Sequence, residues 1–245
     1  MYFETISSKY DNFVVNIRDY FSQKENTLLF DRRNVIKIIN YESNSYVVKS
    51  FKVPHIINKI AYSFFRESKA RKSYVNSVRI EKYVPKAIGY IEFKEFGLLS
   101  NSYFISEEFK YDFTIREPLI ESDFSDKENI FKAFAKFTLA LHNDGIFHKD
   151  YSPGNILIKK NGDNYEFKIV DVNRMVFKEL SYDERLDNFS KLWAKDEDLV
   201  VMIQEYAKLA QIESDAAVAK ALKFSQALKD RKNFKKRLKG QEVVD

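Results

Sequence analysis

Apolar residues sit at strand-like spacing in the first hundred positions and at helical spacing later. Residues 34–39 and 45–51 are rich in Val, Ile, Tyr and Phe and flank the polar patch 41–44, so two strands and a turn are predicted there. Pro54 can open a helix, and Ile56, Ile57, Ile60, Ala61, Phe64 and Phe65 would give it one apolar face. Strands are predicted over 87–99 and 102–109, with a turn near Gly97 and Asn101. Ser125 with Glu128 three residues on predicts a capping box. Ile130, Phe131, Phe134, Thr138 and Leu141 mark the face of the helix that follows, and Gly145 ends it. A strand over 155–158, a turn at 161–163, a strand over 165–170 and helices from Leu180 onward complete the reading. Sheet first and helices later predicts an α+β protein of two lobes, a sheet lobe over 1–109 and a helical lobe over 110–245.

Composition narrows the chemistry. The 245 residues include no cysteine, which excludes disulfides and thiolate metal sites, and three scattered histidines argue against zinc. No basic-then-apolar leader opens the chain, and no apolar run approaches the ~18 residues of a membrane span. A soluble, intracellular protein is expected. The net charge of +5 favours anionic partners without choosing among them.

The informative segment is His148-Lys149-Asp150-Tyr151-Ser152-Pro153-Gly154-Asn155, followed sixteen residues later by Asp171 at the end of an apolar strand. Two acids and an amide in this pattern suit phosphoryl transfer, in which the protein mainly positions groups and stabilises charge. Asp150 and Asn155, five residues apart, can share one side of a tight loop. A hairpin after Asn155 would return the chain so that Asp171 faces the same cleft. Taken alone, each residue could equally build a polar turn.

These motifs resemble those of the protein-kinase-like superfamily, whose loop reads H-R-D-x-x-x-x-N and whose metal-binding Asp follows a strand. The fold implied is a small antiparallel-sheet N-lobe with one main helix and a mostly helical C-lobe. The resemblance implies ATP and Mg²⁺ as cofactors, Asp150 as the catalytic acid–base group, and Asn155 and Asp171 as metal ligands. It makes Lys49 the contact to the α/β-phosphates, with Lys52 a rival. Glu67 is the only acid between His55 and Ile80 and so the candidate partner of Lys49, although a surface pair with Arg66 or Lys69 suits it too. Residues 107–109, Glu107 to Phe109, become the hinge to adenine. In this fold the loop histidine, here His148, is structural, and His55 and His142 read as ordinary helix residues.

Several departures set the chain apart from ordinary protein kinases. The first glycine is Gly89, so there is no Gly-rich phosphate loop before Lys49. No proline follows Pro153, and Asn173 and Arg174 stand where D-F-G has Gly and its successor. The D-x-x-P-G-N form is similar to that of small-molecule phosphotransferases. A closer resemblance is to the lipopolysaccharide kinase family, the WaaP-like Kdo and heptose kinases of Gram-negative bacteria. It rests on residues 58–62, 68–74, 85–90, 148–155 and 170–175. That family implies phosphorylation of a sugar hydroxyl on the lipid A inner core, with peripheral contact at the cytoplasmic face of the inner membrane and no nucleic-acid partner. Arg174 could meet a phosphate or an anionic sugar. Lys69, Arg71, Lys72 and the basic stretch 229–239 could attract an anionic membrane or glycolipid, or simply form solvated helix faces. A protein kinase, another small-molecule kinase and a catalytically dead binding module remain open on the same motifs.

Overall fold

The computed structural model describes residues 1–31, 34–51, 66–238 and 240. The expected helix over 54–65, with His55 and the rival Lys52, lies outside these residues. The chain forms two compact units, one of residues 1–110 with 170–173, the other of 111–169 with 174–245.

The first unit is built on a six-stranded sheet of β1 (Tyr2–Thr5), β2 (Thr27–Asp31), β3 (Asn34–Tyr41), β4 (Asn44–Phe51), β5 (Ala87–Glu95) and β6 (Leu98–Glu107). The order is β1-β5-β6-β4-β3-β2, and every pairing is antiparallel. Both tight turns form where the polar punctuation lies. Glu42 and Ser43 (φ 47° and 64°) join β3 to β4, and Phe96 and Gly97 (φ 50° and 76°) join β5 to β6. Such left-handed pairs match the twist of a two-residue hairpin.

Side-chain alternation divides the sheet into two faces. Tyr46, Val48, Ile91, Tyr103 and Ile105 pack with Phe13, Val14 and Ile17 from α1 (Asp11–Val15) and α2 (Ile17–Ser22). Phe51 and Tyr90 pack on the other face with Ala70 and Tyr74 of α3 (Lys69–Arg79). Ser68 caps α3 by accepting the Arg71 N–H at 3.1 Å, an N-cap bond of the usual kind.

The second unit is mostly helical. It comprises β7 (Phe113–Thr114), α4 (Arg116–Ile120), α5 (Lys127–Asn143), β8 (Ile146–His148), β9 (Ile156–Asn161), β10 (Asn164–Ile169), β11 (Met175–Phe177), α6 (Tyr182–Ser190), α7 (Asp196–Ala210) and α8 (Ser214–Arg237). β10, β9 and β7 make one small sheet, and β11 with β8 a ribbon. The segment around Asn155 is a 3₁₀ turn before β9, not the start of the strand. Phe134 of α5 is fully buried and meets the rings of Tyr151, Phe167 and Phe189. It ties the helix to both the loop and the small sheet.

The expected capping box at Ser125 does not form. α5 starts after Asp126, which takes a left-handed φ of 62° and makes no side-chain cap bond. The Asp126 carboxylate instead accepts from Asn129 and from the Tyr165 hydroxyl, and Glu128 pairs with Lys132. The capping box is at Ser181 and Glu184, opening α6. Gly145 does end α5, at φ 69°, where a Cβ would meet the Lys178 carbonyl at 2.8 Å.

Candidate active site

The expected site residues fall into two groups, one in each unit. In the first unit, Lys49 stands on β4 in alternation with Phe51 and so projects on the α3 face. Its Nζ reaches Asp171 Oδ1 at 2.6 Å. The two residues are 122 positions apart. Asn173, which stands where the D-F-G pattern has its glycine, donates Nδ2 to the same oxygen at 2.6 Å. Asn76 of α3 donates to the Val172 carbonyl at 2.7 Å and ties the segment to the helix.

Asp171 adopts φ 59°. The left-handed region is costly for most L-residues and least so for Asp and Asn. The Lys49, Asn173 and Asn76 bonds together hold the turn. Among the described residues, the two side-chain donors that reach Asp171, Lys49 and Asn173, both bond Oδ1.

Glu67 is not the partner of Lys49. It lies before the N-cap of α3 and pairs with Arg71 at 3.4 Å. A residue outside the helix cannot take the place the kinase pattern gives to a helical Glu. Among the described residues, Lys49 has Asp171 as its counter-ion.

Glu107 ends β6 opposite Tyr46, and its side chain shares the α1 face with Tyr46. It pairs with Lys86 at 3.2 Å. It also borders a cavity of about 420 Å³ lined by Lys9, Tyr10, Tyr46 and Lys86, on the face opposite Lys49. Its N–H bonds the Lys86 carbonyl, and the Glu108 N–H bonds the Ser45 carbonyl. Half-buried Phe109 follows the end of the strand.

In the second unit, the loop after β8 is fixed at several points. β8 pairs with β11 through His148 and Met175, and the Lys149 N–H bonds the Arg174 carbonyl at 3.2 Å. Buried His148 accepts the Asp150 N–H on Nδ1 at 3.1 Å, while Asn188 donates to its carbonyl. A ring nitrogen that accepts is unprotonated, so His148 shapes the loop. Tyr151, with no exposed surface, bonds Thr138 at 2.8 Å, and burial pushes its hydroxyl pKa up. Asp150 itself is half-buried.

Asn155 donates Nδ2 to the Asp150 carbonyl at 2.9 Å, so its amide oxygen remains as an acceptor. An amide oxygen is a hard donor of the kind Mg²⁺ takes, and so is a carboxylate such as that of Asp171 in the first unit.

The sequence reading missed Arg116. Its guanidinium lies against Gly154, where an added Cβ would meet Nη2 at 2.8 Å. Arg116 is exposed and precedes the half-buried Glu117, whose carboxylate accepts both the N–H and the hydroxyl of Thr114. Nothing local in the sequence marks it. The glycine that admits it lies 38 positions away. Arg174 is exposed, and its carbonyl serves the loop.

No family model and no curated protein matches this sequence. Among solved structures 1115 chains match, so the fold is a widespread one and does not by itself name a substrate. The fold is protein-kinase-like, with an antiparallel N-terminal sheet and a mostly helical C-terminal unit. One matching structure is WaaP in complex with acyl carrier protein. It aligns over 93% of this chain and 99% of its own, with a TM-score of 0.59 and 12% identity. At that identity the likeness is one of fold.

Proposed function

We propose that this protein is an ATP- and Mg²⁺-dependent phosphotransferase acting on an alcohol group, specifically a sugar hydroxyl of the lipopolysaccharide inner core, Kdo or heptose. The observation that carries the chemistry is the 2.6 Å contact between Lys49 and Asp171. A strand lysine and a turn aspartate, far apart in sequence, form the cation–anion pair that a nucleotide triphosphate and its metal would divide between them. The sugar acceptor is supported by the resemblance of residues 58–62, 68–74, 85–90, 148–155 and 170–175 to the lipopolysaccharide kinases, together with the WaaP-like fold.

In this reading Lys49 leaves Asp171 to hold the α/β-phosphates. Asp171, and Asn155 through its amide oxygen, would hold Mg²⁺. When bound, that ion would offset the negative charge of the phosphoryl group being transferred. Asp150 orients the acceptor hydroxyl and takes its proton late in the transfer. With the Glu107 and Glu108 N–H groups already bonded, Phe109 supplies the backbone donor to adenine. Glu107 serves by ending the strand there. Arg116 holds an anionic group of the acceptor. The chain works where that acceptor is made, on the cytoplasmic side of the inner membrane.

Incubation with labelled ATP and a Kdo–lipid A precursor tests the reading. Asp171→Ala should abolish transfer with the fold intact. Asp150→Asn should keep ATP binding and lose transfer by about 10²-fold or more. Normal turnover by Asp171→Ala would defeat the metal assignment. Transfer to proteins or aminoglycosides in place of the glycolipid would move the substrate to another kinase class.

The Glu67–Arg71 pair supports a second reading, a kinase-like binding module without turnover, because among the described residues it leaves Lys49 without the helical Glu of active kinases. ATP-dependent stabilisation with no ADP formed on any acceptor would favour it.

A further inference from the structure

The end of α8 is built differently from the rest of that helix. Ala217, Ala221, Ser225 and Leu228 are buried along one arc. The same side is pinned further on, where Lys229 lies 3.5 Å from Asp196 and Lys232 sits 5.1 Å from the centre of the Trp193 ring. Helical geometry then turns Phe234 and Leu238 to the opposite side, one turn apart. They are 61% and 71% exposed. Arg231 and Arg237 lie three positions either side of Phe234, and Lys235 one turn after Arg231, so an apolar pair is edged by cations. Residues 229–238 hold six basic residues and one acid.

We infer that the outward face of the last two turns of α8 docks on an anionic lipid bilayer, with Phe234 and Leu238 entering the headgroup region and Arg231, Lys235 and Arg237 meeting lipid phosphates. An exposed large apolar pair within a cationic rim is the pattern of an in-plane interfacial helix. Charge draws it to anionic lipid, and the two side chains account for retention. A solvated basic face has no use for Phe234. The inference stands apart from catalysis, since it uses no residue of the proposed site.

Co-sedimentation of the full chain with vesicles tests it. Binding is expected to phosphatidylglycerol–phosphatidylethanolamine vesicles and not to phosphatidylcholine vesicles. Phe234→Ser with Leu238→Ser should reduce the bound fraction roughly tenfold or more. Arg231→Glu with Lys235→Glu should reduce it further, each basic residue being worth roughly fivefold. Thermal melts of both variants should match the parent, because all four side chains are exposed. Equal binding to both vesicle types, or unchanged binding by the serine variant, would overturn the inference. So would capture of an acidic protein such as acyl carrier protein by this face with no vesicle binding.

Discussion

At the scale of single residues, legibility depended on whether a side chain's role is set by its sequence neighbours. Asp150, Asn155 and Asp171 could be read as candidates because the motif spacing is local and the strand before Asp171 is apolar. Glu67 could not be read correctly. The choice between Lys49 and Arg71 turns on where α3 begins, and Ser68 sets that start one residue after Glu67. Arg116 left no trace, because its only mark is the missing Cβ of Gly154. Arg116→Gln should raise the acceptor KM roughly tenfold, the loss of one charge-assisted contact, while the KM for ATP stays put. Steady-state kinetics with each substrate varied would check this.

His142 shows a different residue-scale effect. It was read as an ordinary helix residue, yet it is buried, contacts the Tyr206 hydroxyl at 2.9 Å and Asn188 at 3.2 Å. Burial lowers its pKa to about 4. The unfolded chain therefore binds a proton there between about pH 6.5 and 4 that the folded chain refuses. Stability from this residue is complete above the unfolded pKa and falls as pH drops through that window, by up to about 1.4 kcal/mol per pH unit. Urea titrations at pH 7 and pH 5 should show the loss, and His142→Gln should flatten it.

At the scale of elements, the β3–β4 and β5–β6 hairpins were legible because β-rich runs flank turn residues. Helix starts were less so. Ser125 and Ser181 each precede a glutamate by three positions, but a box forms only at Ser181. Tyr165 holds the Asp126 carboxylate, and the left-handed turn at Asp126 removes Ser125 from the capping position. Ser181→Ala should cost about 1 kcal/mol, while Ser125→Ala should be close to neutral by chemical denaturation. The edge strands β1 and β2 and the helices α1 and α2 were not legible. They are short; α1 and α2 are held by long-range packing on Val48, Ile91 and Ile105, and β1 and β2 by pairing with β5 and β3.

For the whole molecule, the order of sheet and helices was enough to indicate α+β class, and the motif spacing to indicate kinase-like architecture. Substrate lies beyond that scale, because one fold serves many acceptors. The proposed nucleotide binding is tested at that scale. ATP with Mg²⁺ at a hundred times its Kd should stabilise the chain by about 2.7 kcal/mol. Chelation of the metal should cancel most of that gain in a thermal melt.

Four residues, 170–173, belong to the first unit although the chain on both sides belongs to the second. No single cut can therefore release the sheet portion whole. A gene fragment stopped at residue 110 would encode Lys49 without its anion. Any ancestor that joined two separate pieces would have had to borrow Asp171 from the second piece.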